Sequence, residues 1–313
     1  MAGTSTDSTL QTTHQSNHVL AQAYPAHSVI EPEAEAFTSD RQDGINARFE
    51  TEANYWKDVY QQPGVFEAIY QERQNRVLAR FDQLRLPVES SLLEIGCGAG
   101  LTTVALAKRG YTVHAIDPVQ PMLDMTLQLA LDSGVGQRVF TAKNDVHRLA
   151  FADASFDAVL AIGVTPWLHS LPLAMREIAR VLRPGGYLIV SADNRWRLNF
   201  LLDPRCFPGL ASARRRVKDW MYQRVLRKAQ SQQPRARMYS RRQFNSELGS
   251  AGLTCLGGET VGFGPFSFLS YRLLSDGLGL KIHNCLQSLA DRDVSLLRST
   301  GAQYIVVAQR PRQ

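Results

Sequence analysis

No apolar run in the 313-residue sequence approaches the eighteen or so residues that a membrane span needs. The N-terminal stretch MAGTSTDSTLQTTHQSNHVL has neither the basic start nor the apolar centre of a secretory signal. Cysteine is scarce. Cys97, Cys206, Cys255 and Cys285 lie far apart and match no zinc-ligand spacing and no disulfide framework. A membrane-spanning chain, a disulfide scaffold and a structural metal site are therefore not expected, and the expected setting is a reducing cytoplasm. Acid is nearly missing from one stretch. Between Arg195 and Arg242 there are 14 Lys/Arg against only Asp203 and Asp219, whereas the remainder of the chain carries 21 basic and 27 acidic residues. The net charge of +6 thus belongs to one segment and not to the fold.

What is present is a pattern of alternating strands and helices. Hydrophobic residues make up 44% of the chain, ordinary for a globular domain, and its length allows one large α/β domain with additions. The organising stretch is Ser91 to Gly100, SLLEIGCGAG. Leu92, Leu93 and Ile95 read as a short buried strand, glycines follow at 96, 98 and 100, and the helix-like run LTTVALAKRG follows at once. A strand that breaks into a glycine turn and re-enters as a helix is the first half of a nucleotide-binding βαβ unit. Downstream, strands are expected at Thr112 to Ile116, closed by Asp117, then at 139–143, 156–162 and, after Pro184-Gly185-Gly186, in YLIVSA. Helices are expected from Leu101, Pro121 and Leu171. Such alternation predicts a mostly parallel sheet wound on both faces. A helix near 241–251, a short strand at 253–256, a loop over VGFGPFSF, a helix around 278–290 and a last strand at 303–308 complete the chain. Residues 1–42 lack periodicity and read as a disordered tail. The segment 45–86 reads as a helical run with one apolar face, ended by Pro87.

The ordered set of glycine turn, Asp117 seventeen residues after Gly100, Asp145 in the next strand loop, and PGG before the fifth strand resembles class I S-adenosylmethionine-dependent methyltransferases. The likeness is greatest to the ubiquinone and menaquinone branch and runs from about Ser91 to Ala192. It implies a seven-stranded Rossmann-like sheet with S-adenosyl-L-methionine as cofactor. It places Gly96, Cys97, Gly98 and Gly100 beside the methionine part, with Glu94 nearby. It makes Asp117 the ribose-diol acceptor, sets Met122 close by, and puts Asp145, with Val146, at the adenine amino group. The rival is a dinucleotide oxidoreductase. Its G-x-G-x-x-G spacing is not met, since Leu101 stands where the last glycine belongs, and no Tyr lies four residues before a Lys.

The substrate side is expected from three places. A helical lid over 43–90 carries Tyr55 and Trp56 in an aromatic cluster with Phe49 and Tyr60; packing on the core is the alternative. Thr165, Trp167 and His169 follow the fourth strand, with His169 the one candidate base. The basic segment 195–242, between the 91–194 cofactor core and the 243–313 remainder, is expected to hold a helix from 211 to 229. Its readings are a charged cap over the acceptor, a membrane-surface helix built on Val217, Trp220, Met221 and Val225, or a nucleic-acid contact. Neither the Asn/Asp-Pro-Pro-Tyr/Phe signature of nucleic-acid amino methylation nor a Pro-Cys nucleophile is present. The expected partner is a small-molecule acceptor, lipid-like or isoprenoid if the segment touches a membrane. RNA methylation and a non-catalytic partner protein are the alternatives.

Overall fold

The computed structural model describes residues 39–59, 64–221, 236–269 and 271–312. Most of the expected N-terminal tail, Tyr60, and the end of the basic helix with Val225 lie outside the described residues. The tail boundary needs correction, because helix α1 already begins at Ser39 and runs Ser39–Thr51. The single helical run expected over 45–86 is three helices: α1, α2 (Ala53–Asp58) and α3 (Val65–Gln83). Gly64, which has low helix propensity, sits as the N-cap of α3. The far end stops before Pro87 because Arg85 takes a positive φ of 50°.

The core then proceeds as β1 (Ser91–Ile95), α4 (Leu101–Lys108), β2 (Thr112–Asp117), α5 (Gln120–Asp132), β3 (Val139–Lys143), β4 (Phe156–Ala161), α6 (Leu171–Val181) and β5 (Leu182–Asp193). After the insertion helices α7 (Leu198–Leu202) and α8 (Ala211–Met221) come α9 (Arg241–Ser250), β6 (Thr254–Val261), α10 (Asp276–Asp291) and β7 (Gln303–Gln309). Seven strands form one sheet in the order β3-β2-β1-β4-β5-β7-β6. β1 to β5 run parallel, and β7 pairs antiparallel with both β5 and β6. The order reverses between β1 and β4, and ligands of open α/β sheets bind at the carboxyl ends of such strands.

Alternation along the strands builds two cores. Leu93, Ile95, Val159, Ala161, Leu188, Val190, Tyr304 and Val306 face α6 and α9. Leu92, Ala158, Leu160, Ile189 and Ile305 face the other way, with Val77 and Phe81 of α3, Val104 and Ala107 of α4 and Ala130 of α5. A sheet buried on both faces explains why its central strands read as continuous apolar runs.

Two strand expectations fell short. β5 starts at Leu182, so Pro184-Gly185-Gly186 lies inside the strand as an irregularity where its register against β4 shifts, not ahead of it. β6 extends to Val261 and is not a four-residue strand, because β7 offers it partners from Thr254 to Val261, with one irregularity between Cys255 and Gly257. The supposed loop after it also holds Ser267 and Phe268 of a two-residue ladder with Tyr271 and Arg272. The apolar side of α8 does not pack inward: Val217 and Trp220 are 65% and 58% exposed. Arg214 donates to the carbonyls of Pro204 and Phe207 at 3.0 and 2.9 Å, which ties the start of α8 to the preceding turn. No helix among the described residues is long and apolar enough to cross a membrane.

Candidate functional site

The site begins where β1 ends. The backbone N–H groups of Gly96 and Cys97 both donate to the carbonyl of Ile116 on β2, at 2.7 and 3.1 Å, which fastens the turn to the neighbouring strand. Two of its glycines are required for different reasons. Gly98 has φ +54°, and a Cβ built there meets no atom within 4 Å, so the backbone is bare toward open space. Gly100 has φ +84°, and a Cβ there would come within 2.7 Å of the Thr126 backbone on α5. Gly100 thus lets α4 and α5 close together and is not among the residues that line the cavity described below.

Asp117 closes β2 and is buried, with its carboxylate facing back to the turn. Its Oδ2 accepts from Gly98 N–H at 3.1 Å and its Oδ1 from Val119 N–H at 3.0 Å. A carboxylate has about four lone-pair sites, so each oxygen keeps one for a ligand. Burial pushes its carboxyl up to about 6, against the pull of those two amides. Glu94 lies deeper. Burial drives it up to about 8, offset in part by a hydrogen bond from the Thr103 hydroxyl, with the Asp117 charge adding to the rise. Burial and the neighbouring acids also push the Cys97 thiol well up, so it is no ready nucleophile.

These groups share a cavity of about 850 Å³ at the β1/β4 switch point. That is within the usual range for a small-molecule site. Glu94, Gly96, Cys97, Gly98, Asp117 and Met122 line it, as do Asp145, Val146, Trp56, Trp167 and His169. Besides Gly100, two expected residues are not on the wall. Thr165 is fully buried, and its hydroxyl donates to the Ser191 carbonyl at 2.8 Å, so it serves to seat the post-β4 segment on β5. Tyr55 packs against Trp56, edge to face at 5.4 Å, and stands behind it. Asp145 is bound more tightly than a strand-loop acid need be: its Oδ1 meets His147 Nδ1 at 2.6 Å, a contact that lowers its pKa.

The N-terminal helices supply the facing wall. Ile45 and Phe49 of α1 and Trp56 of α2 line the cavity. Phe49 bridges the Trp56 ring at 5.6 Å and the Trp167 ring at 5.2 Å, and Trp56 reaches Tyr70 at 5.9 Å. Arg48 lies 5.4 Å over Trp167. An aromatic wall therefore stands opposite the glycine turn.

Sequence reasoning missed Arg73 and Asp193. Arg73 is only 4% exposed, lines the cavity and lies 4.4 Å over the Tyr70 ring. Its guanidinium sits so close to Gly163, just past β4, that a Cβ there would come within 2.9 Å of Nη1. The signal was in the sequence: Arg73 falls on the stripe of Phe66, Ile69, Tyr70, Val77 and Phe81, and a cation there must be buried. Asp193, the last residue of β5, also lines the cavity; it pairs with Arg197 at 3.4 Å and accepts from Gln303 at 2.5 Å. Among the described residues no three His, Cys, Asp or Glu are placed to hold a metal ion.

Residues 93–190 match the family described as "Methyltransferase domain". The ubiquinone biosynthesis O-methyltransferase of Caulobacter vibrioides is 35% identical over 126 residues, 38% of this chain and 49% of that protein. The chain spans about half the length, or less, of the first curated relatives it matches. Two solved structures superimpose with a TM-score of 0.56. One is the [4+2]-cyclase SpnF (18% identical; 86% of this chain, 96% of that one). The other is magnesium protoporphyrin IX methyltransferase from Synechocystis with bound SAH (15% identical; 87% and 100%). At these identities the superpositions show the fold alone. The strand order, the glycine turn and the matched residues together place residues 93–190 in the methyltransferase domain family, and the sequence relatives of that region include the ubiquinone O-methyltransferases.

Proposed function

We propose that the protein binds S-adenosylmethionine in this cavity and transfers its methyl group to a small-molecule acceptor. The observation that carries the reading is the convergence of the bare Gly98 backbone, the Asp117 carboxylate and the half-exposed Asp145 carboxylate on one cavity wall. These groups fit the cofactor's parts: Asp117 the ribose diol, Asp145 the adenine amino group, and the turn the amino-acid end. Arg73 adds a buried cation for that end's carboxylate. The cofactor supplies a methyl group already activated by the sulfonium charge. The chain's own work is to hold the acceptor in line and keep water out, and positioning of this kind supplies roughly 7–11 kcal/mol. Trp56, Phe49 and Trp167 line the cavity with mutually inclined aromatic rings, an apolar wall suited to an apolar acceptor.

The test has two stages, since one fold neighbour is described as a cyclase. Calorimetry with S-adenosylmethionine is expected to show saturable binding; none, with the fold confirmed by circular dichroism, rejects the reading. Incubation with methyl-labelled cofactor and candidate acceptors is then expected to move label into a small molecule. Binding without any transfer points to a non-catalytic use of the fold.

A lipid-like acceptor is favoured by one surface. Exposed Leu202, Leu210, Val217 and Trp220 of the basic insertion lie in a segment tied to the 267–272 ladder, which exposes Phe268 and Tyr271. Asp203 accepts from Leu269 N–H and Arg205 donates to its carbonyl, both at 3.0 Å. Apolar side chains beside arginines suit an anionic lipid surface. Trp220→Glu with Val217→Glu is expected to abolish sedimentation with anionic liposomes; unchanged sedimentation removes this reading.

A further inference from the structure

His147 takes no part in the reading above, yet it is 7% exposed and lines the cavity. Its Nδ1 lies 2.6 Å from Asp145 Oδ1, and its Nε2 accepts the Ser170 backbone N–H at 3.3 Å. A backbone N–H can only donate. The lone pair is therefore on Nε2 and the proton on Nδ1, aimed at Asp145. The same Asp145 Oδ1 also accepts the backbone N–H of His147 at 2.9 Å. Two donors from one residue occupy Oδ1, which leaves Oδ2 as the oxygen available to a cavity ligand. The His169 ring lies nearly parallel to that of His147, with centroids 3.4 Å apart, and lines the cavity too.

We propose that His147 is a positioning residue that fixes the Asp145 carboxylate so that the protein selects a 6-aminopurine nucleoside, with His169 bracing the His147 ring. The proposal rests on the reading that the cavity takes the adenosyl cofactor. A 6-amino group donates to Oδ2, whereas a 6-oxo group sets one acceptor against another. A carboxylate free to rotate would discriminate less. His169 accordingly serves through its ring face rather than as a base.

The test is calorimetry of the full chain with S-adenosylhomocysteine and its 6-oxo counterpart, S-inosylhomocysteine. Wild type is expected to prefer the 6-amino ligand by roughly 10–100-fold. His147→Phe keeps the ring but loses the Nδ1 donor and is expected to lose most of that preference. His147→Asn, which can donate from about the same place, restores it. His169→Phe keeps the preference and His169→Ala reduces it. A preference unchanged in folded His147→Phe overturns the proposal, as does a wild type that binds both ligands equally. Wild type that binds neither ligand overturns instead the cofactor reading beneath it.

Discussion

At the scale of single residues, charge placement decides what the cavity can hold. Arg73 is a buried cation on a helix whose buried residues are apolar apart from Glu67, and a charge is kept in such a place only where partners compensate it. Arg73→Met is expected to weaken S-adenosylmethionine roughly 10–100-fold, the usual worth of a hydrogen bond to a charged group. It should leave 5′-methylthioadenosine, which lacks the carboxylate, unchanged; equal losses for the two ligands would show that Arg73 acts on the fold and not on the amino-acid end. Asp117→Ala removes the acceptor for Gly98 and Val119 N–H as well as for the ligand. It is expected to cost about 1–3 kcal/mol of cofactor affinity, read by the same titration. The residue roles were only partly legible in the sequence. Asp117 and the glycines are marked by position after a strand. Arg73 is marked only by its clash with the helix pattern, and Thr165 looks like a cavity residue until its hydroxyl is seen bound to Ser191.

At the scale of elements, the N-terminal helices are attached chiefly through aromatic side chains. α1 meets the post-β4 segment where Phe49 contacts Trp167, edge to face. Phe49→Ala is expected to loosen α1 while the sheet stays intact, at a cost of about 1–3 kcal/mol for a half-buried ring. Hydrogen exchange would then show lost protection in 39–51 and unchanged protection in β1 to β5. Loss spread evenly over the chain would mean instead that α1 is an integral part of the cooperative core. The same wall explains a limit of periodicity. Spacings of three and four in 45–86 reveal helices, but not that α1 and α2 turn back over the β1 end, because that choice is made by rings that meet residues more than a hundred positions away.

At the scale of the whole molecule, burying acids beneath the cavity couples stability to pH. Glu94 moves from an ordinary 4.5 up to about 8 through burial. A raised carboxyl holds its proton more firmly when folded than when unfolded. Its contribution is complete below the unfolded value and is lost as pH rises through the folded one. Asp117 adds a smaller loss of the same sign between 3.8 and about 6. Glu94→Gln, which can still accept from Thr103, is expected to flatten the fall in melting temperature between about pH 4.5 and 8. Scanning fluorimetry across that window checks it, and an equal slope in both proteins would mean that the Glu94 charge does not govern the loss.

The sequence by itself determined the alternation of β1 to β5 with their helices, the glycine turn and Asp117. Each of these is set by local chemistry: side-chain period, positive φ, and a polar residue closing an apolar run. Only the tertiary structure decided that β6 runs on to Val261, that Arg73 and Asp193 reach the cavity, that Thr165 does not, and that Asp145 is held by His147. Those outcomes depend on a partner strand, a facing helix or a neighbouring ring. Such contacts pair residues distant along the chain, and no local spacing records them.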